Sequence, residues 1–115
     1  MRNTPLRGLV AGAVFVIATT PALASDLDPK ELLVNRGCMA CHIVPGVKGP
    51  GSSMGPTLKG LSKKKRIVAG LLVNNEKNMR RWLKNPKKVK SSTMMPNIGL
   101  SDEEIDVLVA FFKTL

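Results

Sequence analysis

Four apolar residues near the C-terminus, Ile105, Leu108, Val109 and Phe112, recur at i, i+3, i+4 and i+7. Ser101-Asp102-Glu103-Glu104 precedes them as a capping box, so this stretch predicts the chain's firmest helix. Met79, Trp82 and Leu83 fall at i, i+3 and i+4, with Asn74 or Asn75 available as a cap and Asn85-Pro86 as a stop. The other face of that helix carries Lys77, Arg80, Arg81 and Lys84. A shorter helix opens at Asp28, with Pro29 in its first position and Glu31 in its first turn, and Gly37 can end it in the left-handed conformation. From Ile43 to Leu58 the chain holds four Gly and three Pro, which breaks regular structure; its apolar Ile43, Val44, Val47 and Met54 predict a packed loop. No segment alternates as a strand and no repeat is visible, so the pattern predicts an all-α fold.

The first 24 residues read differently. Arg2 and Arg7 precede an uncharged run, Leu9 to Ala18, and Ala22-Leu23-Ala24 forms an A-x-A site, the pattern of a cleaved secretory signal. The run is about half of the ~20 residues that span a bilayer. The expected organisation is a signal peptide over 1–24, cleaved after Ala24, and one domain over 25–115 in the periplasm. That domain is small for a self-sufficient apolar core, and its only large aromatics are Trp82, Phe111 and Phe112.

The chain has 18 Lys and Arg against 8 Asp and Glu, a formal net charge of +10. Between Lys48 and Lys90 there are thirteen basic residues and a single acid, Glu76. Such a one-signed stretch steers the protein toward acidic partners in a salt-dependent way. Export and the scarcity of aromatic residues for base stacking argue against nucleic acid.

Cys38-Met39-Ala40-Cys41-His42 carries the chemistry. C-x-x-C-H is the attachment sequence of a c-type haem: two thiols on one turn can each form a thioether to a vinyl group, with the imidazole placed under the iron. These are the only two cysteines and the only histidine. A structural zinc site normally takes four such ligands, which leaves zinc a poor fit. A thioredoxin-like pair follows a strand, whereas a helix pattern leads into this one. The expected cofactor is one haem c.

His42 fills one axial position of the iron. The candidates for the second are Met39, Met54, Met79, Met94 and Met95; Met39 lies inside the attachment turn and Met79 on a helical apolar stripe. Met94 and Met95 lie in the irregular run Ser91 to Pro96, where a loop could bring a thioether across the porphyrin, and the residues alone leave these two even.

From Leu32 onward the chain resembles a class I cytochrome c, whose pattern runs C-x-x-C-H, Gly-Pro, a helix, then Met-Pro before the last helix. The narrower run Arg66-Ile67-Val68-Ala69-Gly70 through Asn74, with Trp82, Pro86, Lys90, Met95 and Pro96, is similar to the cytochrome c domain of bacterial haem-copper oxidase subunit II. The resemblance implies three or more short helices around one covalent haem, with Gly/Pro-rich loops. It implies that Met95 is the second iron ligand, that the carbonyl of Pro56 braces the ring of His42, that Trp82 lines the methionine side, and that Thr93 bonds a propionate. Two departures stand out. Ser91-Ser92 replaces the usual Pro-Gly, which predicts a less rigid methionine strap, and Lys30 and Val34 replace Gly and Phe in the first helix, which predicts a looser crossing with the last.

A His-Met iron has no free position, which favours one-electron transfer over enzyme chemistry. The expected function is therefore a monomeric, soluble periplasmic carrier cycling Fe(III)/Fe(II), serving an acidic redox protein or a terminal oxidase through transient membrane-protein contact. Two rivals remain: a haem-bearing subunit of a multi-subunit periplasmic oxidoreductase, such as a dehydrogenase or thiosulfate-oxidising complex, and a five-coordinate haem enzyme or sensor.

Overall fold

The computed structural model describes residues 3, 5, 8–19 and 26–115. Arg2, Arg7 and the Ala22-Leu23-Ala24 motif lie outside the described residues. Residues 8–19 form neither helix nor strand, and Leu9, Val10 and Phe15 are more than nine-tenths exposed. Among the described residues no helix is long and apolar enough to cross a membrane.

The fold is mostly helical. Helix α1 (Pro29–Asn35) starts where the Asp28 carboxylate accepts the Lys30 N–H at 2.8 Å, and it gives way at Gly37, whose φ of 76° suits a residue without a Cβ. A single 3-10 turn, Cys38–Ala40, follows directly. Helix α2 (Glu76–Lys84) is capped by Asn75, and α4 (Asp102–Phe112) by the reciprocal Ser101–Glu104 box. Asn85-Pro86 ends α2 and also begins another helix, α3 (Pro86–Val89): Asn85 caps it, and proline in its first position gives up no helical hydrogen bond.

Helix α4 packs against both α1 and α2. Leu108 and Val109 meet Leu32 and Leu33 of α1 and Met79 and Leu83 of α2 in one buried cluster, with Leu33 and Leu108 both at 1% exposure. Lys30 and Val34 are exposed, so α1 packs through its two leucines, and Arg36 adds a hydrogen bond of 2.9 Å to Glu104 of α4.

The expectation of no strand needs correction. Arg66–Ile67 (β1) and Leu72–Val73 (β2) pair antiparallel, with Arg66 opposite Val73 and Ile67 opposite Leu72. Two-residue strands are too short to show alternation. The connecting loop holds Val68 at φ 55° and Ala69 at φ 52°, conformations that side chains with a Cβ rarely adopt. The Arg66 guanidinium donates to the carbonyls of Gly70 (2.6 Å) and Leu71 (3.2 Å), and half-buried Val68 and Leu72 pack on the core, which together hold the loop in place.

Ion pairs tie α2 to α4 on the outer surface. Glu76 accepts from Lys113 at 2.6 Å and Arg80 at 2.8 Å, Arg80 also reaches Asp106, and Lys84 reaches Asp102 at 2.7 Å. The hydrogen bonds from Lys113 and Arg80 hold the Glu76 carboxyl down at about 2, from an ordinary value of 4.5. A carboxyl whose folded value is depressed stabilises the fold fully above its unfolded value and loses that contribution as pH falls through the folded one. The thermal midpoint should therefore drop between pH 4.5 and 2, and Glu76→Gln should flatten part of that drop in a pH series of melting curves.

Candidate functional site

The attachment turn is wrapped by the loop that follows it. Gly51 N–H donates to Met39 O at 3.0 Å, Gly55 N–H to Cys41 O at 2.8 Å, and Leu58 N–H to Ile43 O at 2.9 Å. The second half of the Gly/Pro-rich segment thus runs back along residues 39–43. Close approach has a steric requirement: a Cβ on Gly49 would meet Met39 Cβ at 2.7 Å, and one on Gly55 would meet His42 Cε1 at 2.6 Å.

This loop fixes the imidazole. His42 Nδ1 lies 2.7 Å from Pro56 O. A carbonyl can only accept, so Nδ1 carries the proton and Nε2 keeps its lone pair for a metal. Cys38 and Cys41 are half-buried free thiols, and burial pushes the Cys38 thiol above its ordinary value. Met54 Sδ sits 3.6 Å from Cys41 Sγ, and Met54 is 65% exposed, so this methionine of the loop is not packed into the core.

The methionine candidates separate by environment. Met39 and Met79 are buried in the core, at 4% and 7% exposure. Met94 points outward at 78%, whereas Met95 is half-buried against the core. Thr93 shapes this strap. Its N–H closes a turn onto Lys90 O at 3.0 Å, its hydroxyl accepts the Met95 N–H at 3.2 Å, and its carbonyl accepts from Lys87 Nζ. These bonds brace Ser91-Ser92, where the family's Pro-Gly is missing. Trp82 is half-buried on α2.

The residues present fit a covalent haem. Two unpaired thiols share one turn, the adjacent imidazole is held with Nε2 free, Gly55 leaves the space that ring needs, and the apolar groups Met95, Ile98, Leu58 and Val68 are only partly covered by protein. Residues 28–115 match the family model for cytochrome c. The chain belongs to the cytochrome c family. Members of this family bind haem c covalently and transfer electrons through it; Cys38, Cys41 and His42 supply its C-x-x-C-H motif, and the cofactor of this cytochrome c chain is haem c.

Curated relatives include the cytochrome c oxidase subunit 2 of Alkalihalophilus pseudofirmus, 30% identical over 97 residues, covering 76% of this chain and 27% of that protein. Those of Bacillus sp. (strain PS3) and Bacillus subtilis are 35% identical over 89 residues and 32% over 97, covering 74% and 79% of this chain and 25% and 27% of those proteins. The chain spans about a quarter of the length of these relatives.

Proposed function

We propose that this cytochrome c is an exported one-electron carrier whose iron is closed by His42 and Met95. Thioethers to Cys38 and Cys41 would anchor the haem, Trp82 and Thr93 would border it on the methionine side, and the Pro56 carbonyl would orient His42. When bound, the haem supplies a single Fe(III)/Fe(II) couple. The protein's part is to keep both axial ligands in place, so that a one-electron change needs no new bond and little rearrangement. Met95 as a weak thioether donor would raise the potential relative to a second histidine.

The observation that carries this reading is the contrast within the strap: Met95 turns inward while adjacent Met94 is 78% exposed. The export half of the proposal is supported by the uncharged run of residues 8–19, whose apolar side chains stand clear of the fold. The relatives named as oxidase subunits support a terminal oxidase as electron acceptor, with lysines around the haem edge meeting acidic groups. In those relatives the matching quarter belongs to a longer subunit, which favours as second reading a haem subunit held permanently in a membrane oxidoreductase.

A spectroscopic redox titration of the haem-loaded protein tests the carrier function. A single reversible one-electron wave is expected, with oxidation by a terminal oxidase that slows as salt is raised. Multiple waves, or turnover indifferent to ionic strength, would sink the proposal.

A further inference from the structure

A cleft of about 590 Å³ opens between α2, α3 and the start of α4. Its floor is apolar, formed by Val89 and by Ile105, which is 3% exposed. Its rim is cationic: Arg81, Lys84 and Lys88, with Asp102 as the one carboxylate of the lining. Arg80 and Lys84 are engaged by Glu76, Asp106 and Asp102, which fixes the wall. Lys88 has no ion-pair partner among the described residues, and Arg81 reaches only the Asn78 amide oxygen, at 3.4 Å. Two cations are therefore left uncommitted above an apolar floor.

The cleft is distinct from the haem site. None of Cys38, Cys41, His42, Pro56 or Met95 lines it. Trp82 and Thr93 are not part of its lining either.

We propose that this cleft docks an acidic segment of a protein partner that carries an aliphatic side chain, independently of contacts at the haem edge. The aliphatic group would seat on half-buried Val89 and the methylene stems of Lys84 and Lys88, over buried Ile105, while flanking carboxylates meet Arg81 and the Lys88 ammonium. A concave site fits a protruding segment. With two separate surfaces, the cytochrome can be held by one partner while its haem edge serves another. The proposal does not depend on the identity of the second iron ligand.

The test uses the haem-loaded protein and a fluorescently labelled peptide, Glu-Glu-Leu-Leu-Glu-Glu, with Glu-Glu-Ser-Ser-Glu-Glu as its equally charged control. Anisotropy should show tighter binding of the leucine peptide, and Arg81→Glu with Lys88→Glu should weaken it by about tenfold, since two attractions become two repulsions. Carbodiimide coupling of the leucine peptide to the wild-type protein should mark Lys84 and Lys88. The coupling map needs no variant, so it decides the matter even if the double variant misfolds. Equal binding of the serine peptide, coupling centred on Lys63, Lys64 and Lys65, or phosphatidylglycerol vesicles binding with the same dependence on Arg81 and Lys88 would overturn the proposal.

Discussion

Met95→Ala should convert a closed iron into an open one. In the proposed closed site the Met95 thioether would be the second iron ligand beside His42, and the ferric form would then show a methionine-to-iron charge-transfer band. The alanine variant should lose that band, and its reduced form should bind carbon monoxide. Its potential should fall by on the order of 0.1–0.3 V, within the about 0.8 V over which axial ligands tune haem iron. Met94→Ala is the matched control and should leave all three properties unchanged, because that side chain is 78% exposed. A variant that keeps the band without Met95 would remove the residue from the iron and return Met94 to consideration.

Gly55→Ala should have the second largest effect, through the other axial ligand. The added methyl would lie 2.6 Å from His42 Cε1 and 2.8 Å from Nδ1, well inside van der Waals contact. The ring cannot simply rotate away, because Nδ1 donates to Pro56 O at 2.7 Å. Nor can the loop swing out freely, since the Gly55 N–H is bonded to Cys41 O at 2.8 Å. The strain should cost about 1–3 kcal/mol and lower the thermal midpoint by roughly 5–20 °C. It should also tilt the imidazole and change the ferric absorption spectrum. A Gly55→Ala protein with wild-type melting and spectrum would mean that the loop does not press on His42 in the haem-loaded state.

The parts of the molecule that could be read from its sequence are those with local causes. The Ser101–Glu104 box and the Ile105-Leu108-Val109-Phe112 stripe specify α4 by hydrogen bonding and periodicity within one segment, and α4 is where they put it. Asp28, Pro29 and Gly37 likewise mark both ends of α1. What escaped depends on distant parts of the chain. The β1–β2 hairpin has no alternation to reveal it, and its left-handed Val68 and Ala69 are tolerated only because Arg66 and the core brace the loop. Pro86 reads as a stop; that Asn85 also caps a new helix, accepting the Lys88 N–H at 3.1 Å, is a matter of side-chain rotamer.

The site divides along the same line. Cys38, Cys41 and His42 are contiguous and announce their chemistry, whereas Gly55 matters because the chain returns across His42, and only the Gly55-Pro56 dipeptide hinted at it. Met94 and Met95 are chemically identical and adjacent. Their difference is one of packing, created by the Thr93 and Lys87 bonds that turn the strap.

The most direct test of a closed, electron-conducting iron is the exposure of the reduced, haem-loaded wild-type protein to carbon monoxide at neutral pH. The absorption spectrum should remain unchanged if His42 and Met95 close the iron as proposed, since no position would then be open. Prompt formation of a carbon monoxide adduct would contradict the account and indicate an iron free to bind ligands.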